Sequence, residues 1–245
     1  MADTIRIRLV WAASILGLSL VLVAMIAGGV VMETKASGKT IHVKGYAEKR
    51  ITSDFGIWRG VVATRAAALP PAYQALEQET QKVLAFLQTK GVARDRTDLS
   101  PVSFTLRQKR DERGNETSVV EAYEVQQTVT VQLPDVRLID ALSRDSSALI
   151  RDGVEFRSFP PEYYYTNLES LKVEMLGAAT RDARRRAQTI VSAGGAKLGQ
   201  LRSAQQGVFQ ITPVYSTDVS GCGTLDTSAI EKTIKGIVDA EFSLK

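Results

Sequence analysis

Cysteine and histidine are almost absent from this sequence of 245 residues, which contains one of each, Cys222 and His42. A structural zinc site needs several such ligands and an intrachain disulfide needs two cysteines, so the sequence excludes both. A serine or cysteine nucleophile would have to use His42 as its base, and no G-x-S-x-G motif is present. We interpret His42 as a strand residue at a surface or subunit contact. The sequence therefore predicts a protein that is not an enzyme, with no cofactor and no metal.

A large excess of one charge sign is also missing, because 31 basic residues face 27 acidic ones. A net charge of +4 is too small for a nucleic-acid binding surface, so no nucleic-acid partner is predicted. The one basic run is 184–186, three arginines that point to different sides of a helix. Asp182 is close by in the sequence, which favours a solvated or salt-bridged face over an anion site.

The sequence does contain one long apolar run, the 24 residues 9–32 between Arg8 and Glu33, none of them charged. As a helix it would be ~36 Å long, enough to cross a hydrocarbon core of ~30 Å. A cleaved signal peptide is the alternative, but its apolar core is shorter, at ~7–15 residues. We predict a retained transmembrane anchor over 9–32, with 1–8 in the cytoplasm and 33–39 as a polar tether. The short basic N-terminus favours placing the C-terminal domain outside the cytoplasm.

Residues 40–245 alternate between strand and helix patterns and contain no obvious domain boundary. Apolar alternation predicts strands, and apolar spacing of three and four residues predicts helices. The expected order is two strands, a helix, two strands, a helix, a strand, a helix and two strands. Hairpins mixed with single helices favour an α+β fold with an antiparallel or mixed sheet and three helices. The predicted strands are 40–45, 54–64, 102–106, 118–133, 154–159, 200–211 and 235–244, and the predicted helices are 70–91, 134–149 and 167–193.

Two prolines and three tyrosines lie close together in the segment 160–165. Rigid, amphipathic rings of this kind are enriched at protein interfaces. The alternative is that the rings cover one end of the hydrophobic core, and the sequence does not decide between the two. The possible oligomer interface consists of Pro160, Pro161, Tyr163, Tyr164 and Tyr165.

Four stretches of the sequence resemble the SIMPL domain, a family of bacterial envelope proteins. Their order and spacing carry the resemblance over nearly all of 40–245. The stretches are Ile41-His42-Val43-Lys44-Gly45-Tyr46-Ala47; 83–92 with Asp98-Leu99-Ser100; 178–187 leading to Gly195-Ala196-Lys197-Leu198-Gly199; and Asp226-Thr227-Ser228-Ala229-Ile230-Glu231-Lys232.

This resemblance implies an exported α+β domain without established catalytic residues, linked to envelope or oxidative stress. It also implies that the chain can form ring-like homo-oligomers. We therefore expect a non-enzymatic protein of the bacterial inner membrane, single-pass, with its C-terminal domain in the periplasm. Its expected partners are the lipid bilayer and other copies of itself. The alternative is a periplasmic binding module for a small ligand or peptide.

Overall fold

A computed structural model describes Val23 and residues 39–245, which form an α+β fold of mixed and antiparallel sheets. The strands are β1 (Thr40–Thr52), β2 (Phe55–Ala66), β3 (Thr97–Leu99), β4 (Ser103–Arg110), β5 (Glu116–Leu133), β6 (Phe156–Ser158), β7 (Glu162–Tyr164), β8 (Leu198–Gln206), β9 (Gln210–Pro213), β10 (Thr224–Leu225) and β11 (Glu231–Leu244). The helices are α1 (Leu69–Thr89), α2 (Val136–Asp145), α3 (Ser147–Arg151) and α4 (Leu168–Ala193), with a short 3-10 turn at Arg94–Arg96. The fold class predicted from the sequence is thus confirmed, and the predicted second helix is divided at Ser146.

The predicted anchor 9–32 and tether 33–39 lie, apart from Val23 and Lys39, outside the described residues. In the described part of the chain, no helix combines the length and the apolar character needed to span a membrane.

The chain divides into two compact units. From residue 39 onward, unit 1 takes in 39–48, 172–209 and 235–245, and unit 2 takes in 49–171 and 210–234. Each unit is assembled from separated stretches of sequence, so no single linker divides them.

The helix ends follow from local chemistry. Prolines occupy the first positions of α1, where a missing N–H costs nothing, and Gly91 follows the helix with a φ of +85°. The Asp135 side chain caps α2 by accepting hydrogen bonds from the backbone N–H groups of Arg137 and Leu138, both at 3.0 Å. Gly195, with a φ of +75°, follows α4 in the same way.

Unit 2 is built around a six-stranded sheet in which β2 is a central strand. Along one side of β2 runs β5, in an antiparallel register from Gly56 opposite Leu133 to Ala66 opposite Tyr123. Along the other side lie two short strands in succession, β7 and then β6. Strands β3 and β4 extend the sheet beyond β5. Strands β3 and β7 were not predicted from the sequence. Each has three residues, which is too few to show an alternation of apolar and polar side chains.

The core of unit 2 lies between this sheet and helices α1 to α3. Trp58 is fully buried and packs on Phe156, with ring centroids 5.8 Å apart. Gly60 is needed beside it, because a Cβ there would come within 2.0 Å of the Phe156 ring. Thr64 joins the sheet to α1 by donating a hydrogen bond of 2.8 Å to the Ala72 carbonyl.

The core of unit 1 is formed by α4 against the strands of that unit. Its buried row continues at every fourth residue through Met175, Ala179, Ala183 and Ala187 to Val191. The small side chains allow close approach: a Cβ at Gly45 would lie 2.0 Å from the Ala179 carbonyl oxygen. Ile190 lies outside this row. Ile190 is 55% exposed because the row keeps its four-residue step and so reaches the next residue instead.

Candidate interaction surfaces

In the part of the chain that the structure describes, helices α1 and α2 pack against one face of the sheet of unit 2. Side chains alternate between the two faces of a strand, and the even-numbered residues of β2 face α1 and α2. Gly56 lies against Ile139 of α2, and Thr64 bonds to α1. The odd-numbered residues of β2, which include Arg59, Val61 and Arg65, therefore lie on the opposite face. We call this the open face of the sheet.

One end of the open face holds a network of ion pairs centred on Glu124 of β5. Arg107 lies 2.6 Å from the Glu124 carboxylate and Arg65 lies 3.1 Å from it. Arg65 also bonds to Glu155 at 2.8 Å. Hydrogen bonds from Arg107 and then Arg65 lower the pKa of Glu124, against the opposing effect of its partial burial. Two arginines and two glutamates thus neutralise one another at this end.

A groove of about 580 Å³ opens at the middle of the same face. Between β6 and β7, at Phe159, Pro160 and Pro161, the chain does not continue as a strand paired with β2, because proline has no N–H to donate to a neighbouring strand. The groove forms at this break in the sheet. These three residues make one wall, and Val61 and Thr128 also line the groove.

Another side of the groove is lined by Arg59 and Glu162, which form an ion pair with no net charge. Arg59 donates a hydrogen bond of 2.7 Å to Glu162, and the Tyr164 hydroxyl donates one of 2.6 Å to the same carboxylate. The bond from Tyr164, and next that from Arg59, lowers the pKa of Glu162. The same bond to Glu162 raises the pKa of Tyr164.

Next to the groove, the loop of Thr227 and Ser228 is linked through Tyr163 to a buried lysine, Lys232, that was not predicted from the sequence. Lys232 is 1% exposed, and its ammonium group donates a hydrogen bond of 2.5 Å to the Tyr163 carbonyl. Burial lowers the pKa of Lys232, and the nearby Asp226 partly offsets that shift. The Tyr163 N–H in turn donates to the Thr227 carbonyl at 2.7 Å. The only sequence signal was a lysine within an otherwise buried strand pattern.

The structure separates the residues of the predicted proline–tyrosine interface. Pro160 is exposed, and Pro161, Tyr164 and Tyr165 are partly buried. Tyr163 is only 4% exposed and belongs to the core, where its hydroxyl donates a hydrogen bond of 3.3 Å to Asp140. Burial, and next the charge of Asp140, raises the pKa of Tyr163 to about 12. One tyrosine ring of the cluster therefore belongs to the core and the prolines border the groove, while the oligomer interface stays a prediction.

The most exposed apolar side chains of the sheet lie on a long hairpin, which we call the arm. It consists of β4 and residues 116–122 of β5. Beyond Tyr123, which pairs with the last residue of β2, β4 is the only described partner of β5. All eight residues of β4 are exposed. The large apolar residues and their exposed fractions are Phe104 55%, Leu106 47%, Val119 57% and Val120 39%.

The exposure of the arm was not predicted from the sequence. At the tip, the Asp111 carboxylate accepts hydrogen bonds from the backbone N–H groups of Arg113 and Asn115, both at 2.9 Å. The backbone hydrogen bond from Asn115 is the main cause that lowers the pKa of Asp111.

The remaining residues singled out from the sequence lie apart from these surfaces. Arg185 and Arg186 both pair with Asp182, at 2.5 and 2.6 Å, which confirms a salt-bridged face on α4. A hydrogen bond from the Tyr46 backbone N–H is the main cause that lowers the pKa of Asp182. His42 is largely exposed, with its Nε2 3.5 Å from Glu241, and Cys222 is exposed. Within the described residues, no three histidine, cysteine, aspartate or glutamate side chains are grouped closely enough to hold a metal ion.

The sequence profile of a family described as SIMPL, a protein of unknown function (DUF541), matches residues 41–229, which is most of the chain. No curated protein matches the chain.

Proposed function

The chain belongs to the SIMPL family, and we propose that it is a non-enzymatic, self-associating protein of the bacterial envelope. In this proposal residues 9–32 hold the protein in the inner membrane and the α+β domain lies in the periplasm. Copies of the chain then associate side by side through the arm. The observation that carries the proposal is the arm, with large apolar side chains left uncovered at its two strands.

The arm has the chemistry of a protein contact. Phe104 lies opposite Val125, and Leu106 opposite Tyr123, so both point to the helix-bearing side of the sheet. They extend past the helices and stay about half exposed. Contiguous exposed apolar groups of this kind on a soluble domain favour burial against a partner.

Charge favours a contact between unlike edges of two arms. Strand β4 carries Arg107, Lys109 and Arg110 and no acidic residue, while residues 116–122 carry Glu116 and Glu121 and no basic residue. Within one copy Arg107 pairs with Glu124 and Arg110 with Glu116, so the arm charges without an ion pair among the described residues are Lys109 on β4 and Glu121 on β5. Lys109 of one copy would attract Glu121 of the next, whereas two β4 edges would bring two lysines together. A contact between unlike surfaces repeats around a closed ring, or along an open filament, rather than stopping at a dimer. A shared membrane raises the effective concentration of the copies and so favours weak contacts.

The test of self-association is the mass of the full-length protein in mild detergent, measured by light scattering over a range of concentrations. We expect a discrete assembly of many copies. The double substitution Phe104→Ser with Leu106→Ser should shift it toward monomer by at least tenfold in concentration, because it removes the apolar contact. Val219→Ser, which changes a still more exposed valine (78%) outside the arm, should leave the mass unchanged. A wild-type protein that stays monomeric at its highest concentration would refute self-association.

The single cysteine allows a direct test of location. Cys222 is exposed, so a maleimide reagent that cannot cross the inner membrane should label it in spheroplasts. Labelling should disappear in Cys222→Ser, and the labelled protein should stay in the membrane pellet after an alkaline wash. Labelling only after lysis would place the domain in the cytoplasm. Release by the wash would argue against the anchor.

A binding module is the second candidate function, and the groove on the open face is the observation that favours it. Its volume, about 580 Å³, is in the range of small-molecule sites, and it is lined by both apolar and polar groups. The two functions use different surfaces of unit 2, and one does not exclude the other.

A further inference from the structure

We propose that the groove on the open face binds a small apolar molecule with a single carboxylate group, and that Arg157 binds the carboxylate. The chemistry of the site, rather than any named ligand, supports this class. The inference does not depend on self-association, because the arm does not line the groove.

The first argument is the balance of charges on the open face. Arg59, Arg65 and Arg107 each pair with a glutamate at 3.1 Å or less. Arg157 differs from them, because no carboxylate of the described residues lies within 4.0 Å of it. Its guanidinium group stacks on the Phe159 ring, 5.0 Å from the centroid. A ring face attracts a cation but does not neutralise its charge, so one positive charge is left for a ligand.

The second argument is the position of that charge. Arg157 lies directly opposite Val61 across the β2–β6 pair. Val61 lines both the groove and a neighbouring hollow of about 370 Å³, and Arg157 lines the latter. The guanidinium group and the apolar wall of the groove thus meet around one valine, which is 9% exposed. A molecule whose apolar part lies over Val61 and Phe159 would bring its head group to Arg157.

The third argument concerns which head group fits. Arginine presents a planar fork of donors that matches a carboxylate in two parallel hydrogen bonds. The opposite rim, formed by Arg59 and Glu162, is already neutral and offers no second site for charge. The site therefore favours an apolar molecule with one negative charge at one end. A ligand with two anionic ends would place its second negative charge near Glu162, which would repel it.

The experiment compares three probes that share an apolar part and differ in charge: 4-phenylbutyrate, 4-phenylbutanol and 4-phenylbutylamine. Binding to the full-length protein in nanodiscs of neutral lipid is measured by ligand-observed NMR, with empty nanodiscs as the blank. We expect the acid to bind about fivefold more tightly than the alcohol, the ratio given by an exposed ion pair worth about 1 kcal/mol. The amine should bind most weakly.

Variants of the protein assign this preference to the groove. Arg157→Gln should make acid and alcohol equal, while Arg157→Lys should keep part of the preference because it retains the charge. Phe159→Ala should weaken all three probes together. Arg151→Gln, which removes an exposed arginine of α3 outside the groove, should change nothing. Failure of all three probes to bind, equal binding of acid and alcohol, or a preference that survives Arg157→Gln would overturn the proposal.

Discussion

The two halves of β5, 116–122 in the arm and 123–133 beside β2, both carry valines but in opposite environments. In the second half Val125, Val129 and Val131 are completely buried. In the first half Val119 and Val120 are 57% and 39% exposed, although they belong to the same strand. The difference arises because the second half has β2 beside it and helices above it, whereas the first half has only β4.

This contrast shows that an alternating pattern of apolar residues indicates a strand but not whether other elements cover its apolar residues. Valines in the buried half gain the free energy of removing apolar surface from water, about 25 cal/mol per Å². Valines in the arm gain little of it within a single copy of the chain. Selection for the stability of one copy alone would not require apolar residues there, which is consistent with a surface that is buried only in an assembly.

The largest expected effect comes from removing an aromatic ring in each environment. Trp58 lies opposite Val131 of the buried half, and its Nε1 donates a hydrogen bond of 2.9 Å to Ser158. Trp58→Ala should lower the free energy of unfolding by about 3–5 kcal/mol, because it leaves a large cavity. Phe104→Ala in the arm should change it by less than about 0.5 kcal/mol. Urea unfolding at low protein concentration measures both without a contribution from association.

The contrast between the two halves would be contradicted if Trp58→Ala and Phe104→Ala lowered the free energy of unfolding by the same amount. A large cost for Phe104→Ala at every protein concentration would mean that the arm is part of the core of a single copy. A cost that appears only at high concentration would instead show that Phe104 is buried by association.

The sequence predicted the fold where the pattern extends over several turns or several strand residues. Helix α1 was expected over 70–91 and spans Leu69–Thr89, and the strand expected over 118–133 is β5, Glu116–Leu133. Family membership was also recognised from the sequence and is confirmed by the match to residues 41–229.

The candidate sites were harder to predict, because they depend on contacts between residues far apart in the sequence. The groove brings together Arg59, Phe159 and Ser228, and no local pattern records that proximity. Tyr163 and Tyr164 are neighbours in the sequence, yet strand alternation sends one into the core and the other toward Glu162. The assignment of Arg157 required knowing which arginines already have a carboxylate partner, and this information exists only in three dimensions.

A much smaller effect than that of Trp58→Ala is expected at the junction of the two halves, where Glu124 joins Arg65 of β2 to Arg107 of β4. Its folded-state pKa is lowered, so its stabilising effect is present above the ordinary glutamate pKa of about 4.3 and is lost as pH falls through the lower folded value. Both arginines are about half exposed, so solvent screens the pairs, and Glu124→Gln should cost only about 0.5–1 kcal/mol at pH 7. Urea unfolding across pH should show this cost shrinking in acid and in high salt. Glu121→Gln, a glutamate of the arm without an ion pair among the described residues, is the matched control. A cost for Glu124→Gln that is the same at pH 7 and in acid would mean that Glu124 joins the halves by packing rather than by charge.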